Sequence, residues 1–166
     1  MSDPIVIWII DDLKNDAKLA WEVVEKLLPR FMEKSMAMNP VILWSDGFEW
    51  PPFGNFRELV DPNAPNLYRT DYPDIVILDL LRQGALGDKF EGDTFYYGLR
   101  DWEKPKPGRH SFVILWSPYQ GQKDAQDFIG QVRKNDQRLI PLPTKSGSEL
   151  GTVLEALMER IVEEEG

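Results

Sequence analysis

Short, unbroken apolar runs rich in β-branched residues, separated by stretches of helical periodicity, constrain this chain more than any other feature. The runs are Ile5-Val-Ile-Trp-Ile-Ile10, Val41-Ile-Leu-Trp44, Ile75-Val-Ile-Leu78 and Phe112-Val-Ile-Leu-Trp116. Apolar character without alternation is what a strand covered on both faces requires. A weaker fifth run, Leu139-Ile-Pro-Leu142, contains a proline and suits a sheet edge. Between the runs, Leu13, Ala17, Ala20, Trp21, Val24, Leu27, Leu28 and Phe31 recur on one helical face. Ser146-Gly-Ser-Glu149 has the form of a capping box, and Leu150, Val153, Leu154, Leu157 and Ile161 continue as an apolar stripe. Thr94 to Trp102 and Asp124 to Val132 are shorter helix candidates. Strands alternating with helices predict an α/β fold, a doubly wound five-stranded parallel sheet with flavodoxin-like order 2-1-3-4-5.

A length of 166 residues fits a single domain, 1–166, with a full core. Nineteen Lys and Arg against 28 Asp and Glu give a net charge of −9, which disfavours phosphate backbones and anionic membrane surfaces as partners. Cysteine is absent, so disulfides, zinc–thiolate sites and cysteine nucleophiles are excluded. The N-terminus has no basic region leading into a long apolar stretch, and no run approaches membrane-spanning length; a cytoplasmic location is the expectation. One segment fits the pattern badly. Ser45 to Tyr72 contains Pro51, Pro52, Pro62 and Pro65 with several aromatics, and is expected to be a mostly irregular insertion with at most a short helix near Phe56 to Val60.

In an open parallel sheet, reactive side chains belong at the carboxyl ends of the strands. Those ends carry Asp11 and Asp12, then Asp79, then Ser117, with Thr144-Lys145 after the last strand. Neighbouring carboxylates repel one another, and a hard cation such as Mg²⁺ relieves that repulsion through oxygen ligands. A carboxylate can also act as the nucleophile toward phosphorus, giving an acyl phosphate. That step is helped mainly by positioning and by charge neutralisation, for which Lys145 is suited, while Ser117 can donate a hydrogen bond to the phosphoryl group.

These pieces, in this order, resemble the response-regulator receiver (CheY-like) family over nearly the whole chain. Ile9-Ile-Asp-Asp12 is similar to the acidic pair after the first strand. Tyr72-Pro-Asp-Ile-Val-Ile-Leu-Asp-Leu80 is similar to the segment ending in the phosphorylated aspartate. Glu91-Gly-Asp-Thr-Phe-Tyr-Tyr-Gly-Leu-Arg100 resembles the helix that follows, Phe112-Val-Ile-Leu-Trp-Ser117 the strand ending in Ser or Thr, and Lys145 the family's lysine. The resemblance implies a phosphoprotein of a two-component system, in which Asp79 accepts phosphate from a histidine kinase or phosphotransfer protein. It further implies a Mg²⁺ site made by Asp12, Asp79 and the Leu81 backbone, with Asp11 acting partly through water. Signal transduction would then pass by contact to an output protein. A dimer or output face would lie on Leu139 to Leu142 and the last helix. No enzyme activity is expected beyond self-phosphorylation and self-dephosphorylation.

The chain departs from the family's pattern in four places. The loop 81–91 is lengthened, Pro118 follows Ser117, Leu142 stands where an aromatic is common, and Ser146 follows Lys145 in place of proline. Such departures are what a degenerate receiver, used as a phosphorylation-independent interaction module, would show. A haloacid-dehalogenase-type phosphatase needs a second acid two residues after its nucleophile, and Asp79-Leu80-Leu81 lacks it. Neither a phosphate-cradling P-loop nor a flavin-binding loop follows the first strand.

Several of these residues have simpler roles. Asp11 or Asp12 would suit a helix cap, Lys145 a solvated loop and Ser117-Pro118 a turn. One cap, however, explains one aspartate, not two together with Asp79. His110, the only histidine, is expected to be a surface loop residue. The aromatics Trp44, Phe48, Trp50, Phe53 and Phe56 would cover one face of the sheet or, alternatively, form a docking surface.

Overall fold

The computed structural model describes residues 5–11, 14–32, 38–44, 73–79, 81–82, 89–90, 92–103, 110–117, 123–142 and 146–165. In chain order the elements are β1 (Ile5–Asp11), α1 (Lys14–Met32), β2 (Met38–Trp44), β3 (Ile75–Leu78), β4 (Leu81–Arg82) and β5 (Lys89–Phe90). There follow α2 (Gly92–Glu103), β6 (Phe112–Trp116), α3 (Lys123–Arg133), β7 (Leu139–Leu142) and α4 (Gly147–Glu165). The expected insertion and its aromatics lie outside the described residues, apart from the backbone of Trp44.

The chain is an α/β protein built on a parallel sheet in which β1, β3, β6 and β7 are successive neighbours. Ile7 stands opposite Ile75, Ile75 opposite Phe112 and Val113 opposite Leu139. The β2 backbone runs parallel along the other side of β1, from Met38 opposite Ile5 to Trp44 opposite Asp11. Every residue of β3 and β6 is buried, which is why these strands read as unbroken apolar runs.

Alternation along the strands divides this burial between two faces. Ile5, Ile7, Ile9, Ile75, Ile77, Phe112, Ile114 and Trp116 share one cluster with Ala20 and Val24 of α1 and with Leu150, Leu154, Leu157, Met158 and Ile161 of α4. The intervening residues Trp8, Val76, Leu78, Val113 and Leu115 are buried as well, toward the other face. The right-handed rule for parallel crossovers assigns that face to α2 and α3, whose buried residues are Tyr96, Leu99, Ala125, Phe128 and Val132. Each fully buried Ile or Leu contributes about 1.5–3 kcal/mol over its exposed state, so the two layers hold the strand ends at fixed positions.

Helix α4 packs closely on α1: a Cβ added to Gly151 would meet Val23 Cγ1 at 3.5 Å. The predicted cap of α4 is present, with Glu149 N donating to Ser146 Oγ at 3.4 Å and Leu150 N to Ser146 O at 3.1 Å. Among the described residues, no helix is long and apolar enough to cross a membrane.

Candidate functional site

Asp79 follows the last residue of β3 and is 4% exposed, and Ser117 follows the last residue of β6 and is 0% exposed. Among the described carboxylates Asp79 and Glu103 are buried, and a buried carboxylate at a strand end is an uncommon placement. The register relates the strand ends directly. Ile10 stands opposite Leu78, and Leu78 opposite Leu115. Asp11 and Asp79 are therefore the next residues along two adjacent parallel strands. Ser117 lies one residue beyond Trp116, which stands opposite Leu142. Its backbone N donates to Leu142 O at 3.3 Å, tying the end of β6 to that of β7.

Leu81 opens β4, which pairs antiparallel with β5: Leu81 opposite Phe90 and Arg82 opposite Lys89. The stretch read as a lengthened loop thus includes a short two-stranded ribbon that begins two residues after Asp79. Asp12 and Lys145 lie outside the described residues, as do the side chains of Asp11 and Leu81. Of the residues expected to form the site, the structure therefore brings the Asp11 backbone, Asp79 and Ser117 to one edge of the sheet. Among the described residues no group of three or more His, Cys, Asp and Glu is placed to hold a metal ion.

No protein-family model, curated protein or solved structure matches the chain. The reading of the site therefore rests on its own geometry.

The opposite pole of the sheet holds a polar network that the sequence did not reveal. Arg100, in the last turn of α2, donates from Nε to Asp136 Oδ2 at 2.9 Å, from NH1 to Glu103 Oε2 at 2.7 Å and from NH2 to Ser111 O at 2.8 Å. Glu103 is fully buried and accepts from Ser111 N at 3.0 Å through its other oxygen. Ser111 Oγ donates to Pro73 O at 2.6 Å, which joins the entrances of β3 and β6. Asp136 accepts further from the Tyr96 hydroxyl and, at 2.9 Å, from Arg138 N.

The electrostatics follow from these contacts. Burial pushes the Asp136 carboxyl up, but the Tyr96 hydrogen bond, the Arg100 charge and the Arg138 amide outweigh it and hold the group below its ordinary 3.8. Burial and the hydrogen bond to Asp136 raise the Tyr96 phenol. Burial disfavours the Arg100 cation, yet Glu103, Tyr96 and Asp136 overcome this and raise its pKa. Arg100 and Glu103 are three apart on α2, a spacing that brings side chains together on one helix face. His110 is half-exposed at 49%, in keeping with a surface position, but its Nδ1 lies 3.2 Å from the buried Glu103 Oε2.

Proposed function

We propose that the chain is a receiver-type phospho-acceptor in which the Asp79 carboxylate takes a phosphoryl group and the signal leaves by protein contact. The observation that carries this reading is the buried carboxylate at the end of a central strand, one strand over from Asp11. The flavodoxin-like, five-stranded order 2-1-3-4-5 belongs to the same proposal, and the pairing of β2 with the outer side of β1 supports it. In that order the connections leave β1 and β3 in opposite directions, and the crevice between their carboxyl ends is where open α/β sheets take their ligands.

In the proposed reaction a carboxylate oxygen of Asp79 attacks phosphorus. The bond from phosphorus to the donor imidazole breaks, and the departing imidazole nitrogen is protonated. Two carboxylates on neighbouring strand ends are an oxygen donor set suited to Mg²⁺, which Asp11, Asp12, Asp79 and the Leu81 carbonyl would hold and which would supply charge neutralisation. Ser117 would donate a hydrogen bond to the phosphoryl oxygens, and Lys145 would pair with their charge. The partners on this reading are a histidine kinase or phosphotransfer protein and an output protein, with a homodimer as a further assembly and a cytoplasmic setting. Nucleic acid is no part of it, in keeping with the net charge of −9.

Intact-mass spectrometry after incubation with a small-molecule phosphodonor tests the reading. One phosphoryl adduct is expected, dependent on Mg²⁺ and absent from Asp79→Asn. Lys145→Ala is expected to retain metal binding and to respond weakly. The absence of any adduct and of any metal binding would make the chain a phosphorylation-independent interaction module instead.

A further inference from the structure

At the pole opposite Asp79, a cavity of about 720 Å³ opens between α2 and α3. Its volume is that of a small-molecule site, where ligands meet an aromatic surface and a few fixed polar groups. The aromatic surface is Tyr97, which is 42% exposed and yet rigidly held. Tyr96 meets its ring edge-on at 5.4 Å and Phe128 does so at 5.8 Å. An exposed ring braced by two others pays little entropy when a ligand settles on it.

The polar groups are fixed in a similar way. His110 Nδ1 lies 3.2 Å from Glu103 Oε2, which positions the ring at the cavity. Arg138 is held by its NH1 donating to His110 O at 2.7 Å and by its guanidinium lying 4.5 Å from the centre of the Phe112 ring. Three side-chain amides, Gln131, Asn135 and Gln137, complete the lining, each able both to donate and to accept.

Charge decides what kind of ligand suits this lining. The lining contains Arg100 and Arg138 together with Asp101 and Asp136, so its formal Arg and Asp charges cancel. Helices α2 and α3 both end here, and the negative ends of their dipoles disfavour an anion. Exposed Arg133 and Lys134 lie nearby in sequence, but their field is screened within about 8 Å at physiological salt. We infer that the cavity between α2 and α3 binds a neutral polyhydroxylated ligand, a mono- or disaccharide. The carbon face of the sugar would lie on Tyr97, and its hydroxyls would bond to the amides, His110 and Arg138. The inference is independent of the chemistry at Asp79.

Amide chemical shifts of the full, isotope-labelled chain, followed by NMR during titration with glucose, maltose and N-acetylglucosamine, test it. At least one sugar is expected to give saturable shifts centred on Tyr97, His110 and Asn135 to Arg138. Tyr97→Ala should weaken that binding about tenfold or more, and Gln137→Ala should also weaken it, whereas Tyr97→Phe should stay within about threefold. The Gln137 side chain is exposed, so Gln137→Ala should leave the melting temperature unchanged. Tyr97→Ala loses its edge-on contacts with Tyr96 and Phe128 and is titrated well below its own melting temperature. Three outcomes would overturn the proposal: no saturation by any of the three sugars, saturation of the same amides by adenosine monophosphate alone, or undiminished binding by Tyr97→Ala.

Discussion

The two poles of the sheet use carboxylates for opposite ends. At the N-terminal pole, Glu103 and Asp136 are locked by Arg100, Ser111, Tyr96 and Arg138 into a network that closes the entrances of β3 and β6. At the C-terminal pole, Asp79 is buried at the end of a strand next to the one whose backbone ends at Asp11. The first arrangement neutralises its acids with an arginine and contributes to folding. The second sets a buried acid beside the end of the neighbouring strand, the place where the proposed phosphoryl group would be taken up. Substitutions at the two poles should therefore separate function from stability.

The largest expected effect is at Asp79. Asp79→Asn should abolish phosphoryl uptake while the protein still folds cooperatively, because the amide is isosteric with the carboxyl and keeps its place at the end of β3. A fall of several kcal/mol in stability would place Asp79 in a structural network and erase the contrast. Next comes Glu103→Gln, which leaves the Arg100 cation without its buried counter-charge. It should cost about 3 kcal/mol in chemical denaturation, with uptake at Asp79 retained once the protein is folded.

Asp136→Asn should cost less, about 1–2 kcal/mol at neutral pH, because the side chain is partly exposed and solvent screens it. Its pH dependence has a definite sign. The folded-state pKa lies below the unfolded 3.8, so the stabilisation is present above that value and is lost as the pH falls through the lower folded one. The gap between wild type and variant should thus be constant near neutrality and close only in acid. A gap that widened on acidification would contradict the network. The smallest effect is a control distant from the network: Gly151→Ala places its Cβ at an ordinary 3.5 Å from Val23 Cγ1 and should stabilise α4 by about 0.5–1 kcal/mol.

The sequence made the sheet more legible than the poles. Strands β3, β6 and β7 have the bounds read from their apolar runs; burial on both faces explains this for β3 and β6, while β7 is only partly buried. The start of β2 was read at Val41, but the strand begins at Met38 and includes Pro40. Among the described residues its backbone pairs with β1 alone, and a strand with a free side can tolerate a residue that has no N–H to donate. The position of Asp79 at the end of β3 was legible because the apolar run stops there. The network around Arg100 was not, since Arg100 and Asp136 are 36 residues apart and only the packing of α2 beside the α3–β7 turn unites them. His110 likewise read as a loop residue, because nothing local signals that a buried carboxylate from the end of α2 stands behind its ring.

The most direct test of the central claim is to locate the phosphoryl group. Protein treated with Mg²⁺ and a phosphodonor would be reduced with borohydride, which converts an aspartyl phosphate to homoserine, and then mapped peptide by peptide. Homoserine at position 79 and nowhere else is the predicted result. Modification at any other acid, or an unmodified position 79 in protein that carries the adduct, would contradict the assignment of Asp79 as the acceptor.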